Sequence, residues 1–256
     1  MATTIPVVDI FADTFARVFK NLPKIFTIGV IPIVAYFGVT LLAYLIAILA
    51  KVTFITLPFE IIAYFIMMPF ALAWMRFILR GEDKFKFAFG PTEQKFFAYY
   101  ALLMVPVLVL LLIGLALSTI GGFASVIISY ILVLGIVALY TMLQLVFPAA
   151  ALGDPTGLEK VWKESVPNYA PMLGINMIVF NLAGIPILIV LYLLYVLTVA
   201  MTQSIGIGGA IIGLLLGNII MTPLMFIALA LMVTAVALVY RRLQGAPVAA
   251  AAPVTA

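Results

Sequence analysis

The sequence predicts an all-α, polytopic membrane protein: a bundle of six transmembrane helices with two or three amphipathic helices along its cytoplasmic face. Three observations predict it. Charged residues make up 9% of the 256-residue chain, against about 25% in soluble domains, too few to cover a water-facing surface. Apolar runs longer than the ~18 residues that mark a candidate span recur along the chain. All but one of the 13 Lys and Arg fall where an alternating six-span path puts a single side of the bilayer.

The elements follow in order. Residues 7–22 place Val7, Phe11, Phe15, Val18, Phe19 and Leu22 on one stripe, with Asp9, Asp13, Arg17, Lys20 and Asn21 elsewhere on the wheel. This is an amphipathic helix, lying either in the headgroup plane or on the protein's own cytoplasmic face. The first span is 25–50. At roughly 26 residues it is too long for the ~7–15-residue apolar core of a signal peptide, so the N-terminus is expected to be retained. After Lys51 the second span covers 58–79, with Trp74 and Arg76 as anchors at its far interface, where aromatic belts and positive charge belong. Residues 80–98 are charged and aromatic, broken in two at Gly90-Pro91. An uncharged turn at Gly121-Gly122 joins the third span, 97–118, to the fourth, 123–145.

The stretch 143–168, LQLVFPAAALGDPTGLEKVWKESVPN, breaks at Pro148, turns at Gly153-Asp154-Pro155 and resumes as a short charged helix. Thr156 and Glu159 have capping-box spacing, with Asp154 as the rival cap. Leu158, Val161, Trp162 and Ser165 or Val166 form one face of that helix, with Trp162 as its interface anchor; Lys160, Lys163 and Glu164 form the other. The fifth span is 172–200 and the sixth 209–239, closed by the anchors Arg241 and Arg242. Residues 1–244 read as one transmembrane domain, and 245–256, an uncharged Ala/Pro tract, as a disordered tail. A weak three-fold repeat over 7–80, 85–153 and 155–243 is one reading; the other is that any six-span chain with short outer links looks this way. Only Lys51 falls on the opposite side, which puts both termini in the cytoplasm of a cell with this protein in its inner membrane.

The chain has no Cys and no His, which removes disulfides, thiol chemistry and the commonest general base and metal ligand. With no nucleotide loop, serine-hydrolase elbow or acidic metal motif, no catalytic residue, cofactor or metal is expected. The net charge of +4 is carried at span ends, which points to anionic lipid headgroups rather than nucleic acid. Glu60 is the one acidic residue outside the cytoplasmic clusters, in the first turn of the second span. It is either a functional intramembrane group or a structural one paired with Lys51. Gln144, Asn176 and Asn181, with Thr222 beside Pro223, either satisfy one another and kinked backbone or line a substrate site. Pro32, Pro69, Pro106, Pro148, Pro186 and Pro223 put one proline in or at the end of each span. Gly209, Gly213 and Gly217 share a helix face that admits a close neighbour, within the protomer or in a homo-oligomer, with Asn218 placed to bond across it.

The span end LVFPAAALGD, the helix GLEKVWKES, the following PN and LGIN, and FARVFKNLP at 15–23 resemble a broad group of uncharacterised bacterial integral membrane proteins. These are similar to YciC-like proteins and to the membrane domain found on some glycerophosphodiester phosphodiesterases. The resemblance implies a six-span helical membrane domain; no phosphodiesterase catalytic domain is present, so that activity is not carried over. The functional expectation is a non-enzymatic scaffold, an assembly partner of another membrane protein, or an organiser of lipid. The alternative is a small-molecule or lipid transporter.

Overall fold

The computed structural model describes residues 5–50, 56–82, 90–120, 122–154 and 157–245, and among these the chain is helical with no strand. Helix α1 (Val7–Lys20) stops at Asn21, whose side-chain amide donates to the Arg17 carbonyl at 2.7 Å, and α2 (Leu22–Ala50) starts directly after it. Helix α3 (Thr56–Arg80) closes on Gly81, whose φ of 73° is the left-handed cap that glycine adopts without strain. Helix α4 (Pro91–Ile120) opens on Pro91, where the missing N–H costs no helical bond; the Gly90-Pro91 break is therefore a helix start. There follow α5 (Gly122–Leu143), α6 (Val146–Leu152), α7 (Leu158–Ser165), one 3₁₀ turn (Val166–Asn168), α8 (Tyr169–Ile205) and α9 (Ile207–Leu243).

The break expected at Pro148 lies one turn earlier, at Gln144-Leu145. A proline ring clashes with the carbonyl four residues before it, here that of Gln144. That carbonyl instead accepts the Phe147 N–H at 3.2 Å, and Pro148 itself sits inside α6. The other five span prolines are carried within continuous helices. Helix α6 ends at Gly153 (φ 76°), with the Gly153 N–H on the Ala150 carbonyl and the Asp154 N–H on the Ala149 carbonyl. Thr156 lies outside the described residues, and α7 starts at Leu158 behind Gly157 with no side-chain cap. Glu159 pairs with Lys163 at 2.7 Å instead, one helical turn on.

Among the described residues, five stretches are long and apolar enough to cross a membrane: Leu22–Ala50, Pro58–Arg80, Gly135–Leu152, Leu158–Ile205 and Ile207–Leu243. The expected third span, 97–118, lies inside α4. Helices α8 and α9, at 37 residues each, are about 55 Å long at 1.5 Å per residue, longer than a ~30 Å hydrocarbon core. Leu182, Leu188, Ile189, Tyr192, Leu193 and Tyr195 of α8 are all exposed. A soluble protein rarely leaves so continuous an apolar face bare, whereas lipid covers it without cost.

By its internal contacts the chain falls into two compact units: 1–13, 88–177 and 235–256 in one, 14–87 and 178–234 in the other. None of these boundaries is a boundary of the three-fold repeat, and two fall inside α8 and α9. Helices of this length contribute segments to both units. The Ala/Pro tail beyond Gly245 lies outside the described residues.

In the first unit α4 packs on α5 and α6, and α5 on α7. The Phe147 ring of α6 lies 5.2 Å from Phe96 and 6.2 Å from both Tyr100 and Tyr140. In the second unit α2 packs on α3. Phe70, Trp74 and Phe77 share one face of α3 at helical spacing. Phe70 meets Phe226 edge-on at 5.0 Å, and Trp74 packs between Phe70 and Phe77 at 6.0 and 5.1 Å. Gly29 of α2 makes room for this cluster, since a Cβ there would stand 3.1 Å from the Phe70 ring.

Candidate functional site

The break before α6 leaves Gln144 buried. Its Oε1 accepts from the Asn176 side-chain amide at 3.0 Å, which also reaches Thr141 Oγ1 at 2.8 Å. Thr141 in turn donates to the Val137 carbonyl at 2.7 Å. Gln144 and Asn176 therefore satisfy each other, with Thr141 as a third member, while Gln144 Nε2 is buried without a partner among the described residues. Asn181 is exposed. Five residues on from Asn176, it is turned about 140° around α8.

A second polar clasp belongs to the same unit. Tyr240 donates its hydroxyl to the Asp154 carboxylate at 2.5 Å, and Lys95 donates to the Asp154 backbone carbonyl at 3.3 Å. Asp154, the expected rival cap of the following helix, thus ties α9 to the turn after α6. A neutral donor on a carboxylate is worth about 1.5–3 kcal/mol. Tyr240→Phe is expected to lose that amount of stability in a detergent-unfolding titration, with Asp154→Asn no more costly.

In the other unit, Asn218 bonds to α2 rather than across the glycine face: Thr40 places its hydroxyl 2.7 Å from Asn218 Oδ1. Gly209 and Gly213 receive α8 of the same chain, at Met201 and Thr198, so they pack within the protomer. Gly217 has nothing among the described residues within 4 Å of an added Cβ, and takes no part in this contact. The Thr222 hydroxyl is buried without a partner among the described residues, rather than satisfying backbone near Pro223.

Trp74 is a correction. It is 0% exposed, not an interface anchor. Its indole N–H donates to Thr234 Oγ1 at 2.9 Å, which meets the one condition for burying a tryptophan. Arg76 and Arg241 are half-buried, and Arg242 is exposed. Trp162 is 44% exposed on α7, beside exposed Lys160 and Lys163, while Val161 and Ser165 of the same helix are buried. On α1, Ile10, Thr14 and Val18 are buried, and Val8 and Phe19 are exposed.

Glu60 lines a cavity of about 170 Å³ formed by α2 and α3. Tyr36, Thr40, Ala43 and Tyr44 come from α2, and Thr56, Glu60, Ala63 and Tyr64 from α3. Each set follows the same i, i+4, i+7, i+8 spacing, one stripe of a helix. The stripes were present in the sequence. They escape notice because tyrosine and threonine inside an apolar run read as ordinary filling until two such stripes are seen to face each other. Lys51, the expected partner of Glu60, lies outside the described residues. Neither Gln144 nor Asn176 lines this cavity.

No family model matches the chain, and neither a curated protein nor a solved structure is significantly similar to it.

Proposed function

We propose that this chain is a non-enzymatic, six-span protein of a bacterial inner membrane, both termini cytoplasmic, that gathers anionic lipid at its cytoplasmic face. One observation carries the reading: α7 exposes Leu158 and Trp162 together with Lys160 and Lys163, and Val166 at the start of the turn that follows is exposed too. A helix that offers apolar and cationic side chains at once suits the boundary between acyl chains and anionic headgroups. The tryptophan ring matches the headgroup level, and each lysine near an anionic surface adds about 1 kcal/mol. Exposed Val8, Phe19 and Lys20 give α1 the same character. The placement of all but one of the 13 Lys and Arg supports the orientation, and the lack of Cys and His supports a role without catalysis. The resemblance to YciC-like proteins favours the six-span count.

The transporter alternative calls for a continuous polar path lined by Glu60, Asn176 or Gln144, and the cavity holding Glu60 is lined by neither amide. The lipid reading is tested by extracting the protein in native lipid discs and weighing the retained lipids by mass spectrometry. Anionic lipid is expected to be enriched over the bulk membrane, and the double variant Lys160→Gln, Lys163→Gln to lose most of the enrichment. Wild-type discs of bulk composition would overturn it.

A further inference from the structure

We infer that the cavity between α2 and α3 binds the ammonium group of an organic amine. This goes beyond the cytoplasmic-face reading and does not depend on it. Glu60 and Arg80 are 20 residues apart on α3, about 30 Å along the axis, so the cavity lies toward the end of that helix away from its basic residues.

The lining selects for charge sign first. Among the described residues it holds one carboxylate, Glu60, and no Lys or Arg. Around it stand the phenol groups of Tyr36, Tyr44 and Tyr64, whose rings carry a negative face that attracts cations and repels anions. The hydroxyls of Thr40 and Thr56 add oxygen acceptors on either helix. A primary ammonium has three N–H donors and needs this mixture of one charged and several neutral oxygens. Size and valence then narrow the class. At about 170 Å³ the cavity exceeds the ~150 Å³ that houses a benzene-sized molecule, so it is larger than a bare ion needs. Divalent ions seek six or more oxygens, usually from several carboxylates, whereas a single carboxylate balances a single positive charge. Ala43 and Ala63 supply a small apolar wall for the carbon attached to the nitrogen. A lipid ethanolamine headgroup and a free small amine both carry this chemistry.

The test uses the full chain in discs of phosphatidylglycerol, a lipid without an ammonium group. Ethylammonium is titrated and its binding followed by saturation-transfer NMR. The wild type is expected to bind it, Glu60→Gln to weaken binding about tenfold, and Tyr64→Leu several-fold. Tyr64→Phe, which keeps the ring, is expected to stay within about twofold of wild type. In a second arm, phosphatidylethanolamine is mixed into the discs and lipid retention is read by native mass spectrometry. Retention that ethylammonium displaces identifies the headgroup as the source; ethylammonium binding without such retention identifies a free amine. Absence of binding in both arms overturns the inference, as does binding that neither Glu60→Gln nor Tyr64→Leu changes. Glu60→Gln keeps the side-chain volume, and Tyr44→Leu replaces any variant that fails to fold. Enrichment of anionic lipid is not expected to change in Glu60→Gln, so failure here and failure of the cytoplasmic-face reading are separate results.

Discussion

Gly209→Ala is expected to destabilise the protein by about 3 kcal/mol or more, while Gly217→Ala, two turns along the same face, leaves stability within about 1 kcal/mol or raises it slightly. Helices α8 and α9 are joined by Gly206 alone, whose φ of 65° turns the chain back on itself. At Gly209 an added Cβ would overlap the Met201 carbonyl oxygen and carbon and stand 2.8 Å from the Thr202 nitrogen. All three are backbone atoms, so no rotamer change relieves the clash and the two helices must separate. A Cβ added at Gly213 would run into the Thr198 side chain, whose Oγ1 donates to the Leu194 carbonyl at 2.7 Å. Turning that side chain away gives up the bond, which places Gly213→Ala between the other two, near 1–2 kcal/mol. Helicity followed through a sodium dodecyl sulfate titration orders the three variants. Equal losses at all three positions would refute the close hairpin.

Trp74→Ala is expected to cost about 3–5 kcal/mol, the range for deleting a buried aromatic side chain. The ring is in contact with Phe70 and Phe77, and its N–H is held by Thr234, which also donates to the Ala230 carbonyl at 2.7 Å. Trp74→Phe is milder, because Thr234 keeps its own backbone bond. The same residue gives an optical test, since Trp74 and Trp162 are the two tryptophans of the chain. With Trp162→Phe, the remaining emission is expected to resist aqueous iodide; with Trp74→Phe, the remaining Trp162 is expected to be quenched. Ready quenching of Trp74 would restore it to the membrane interface and sink its burial in the helix core.

Much of the fold was legible from local chemistry. Gly90-Pro91 marked a break in the chain, and the structure makes that break a helix start because proline tolerates the first helical position and little beyond it. Gly153 marked a stop because a left-handed cap selects glycine. The glycines at 209 and 213 marked close packing because only the absence of a Cβ admits another backbone. Each signal resides in a few neighbouring residues. The Pro148 break was found in kind but displaced by one turn, since the clash acts on the carbonyl four residues back.

The pairings were not legible in this way. Thr40 with Asn218 and Asp154 with Tyr240 are 178 and 86 residues apart, and no local pattern ties them. The cavity likewise needed α2 and α3 face to face before Glu60 acquired three tyrosines as neighbours. By itself the sequence determined that the chain is helical, apolar enough to cross a membrane and punctuated at particular glycines and prolines. Only the tertiary structure decided which side of each span meets protein. The reason is physical: a membrane helix is apolar all round, so lipid and protein neighbours ask for the same side chains. Trp74 and the exposed tyrosines of α8 look alike in sequence until packing separates them.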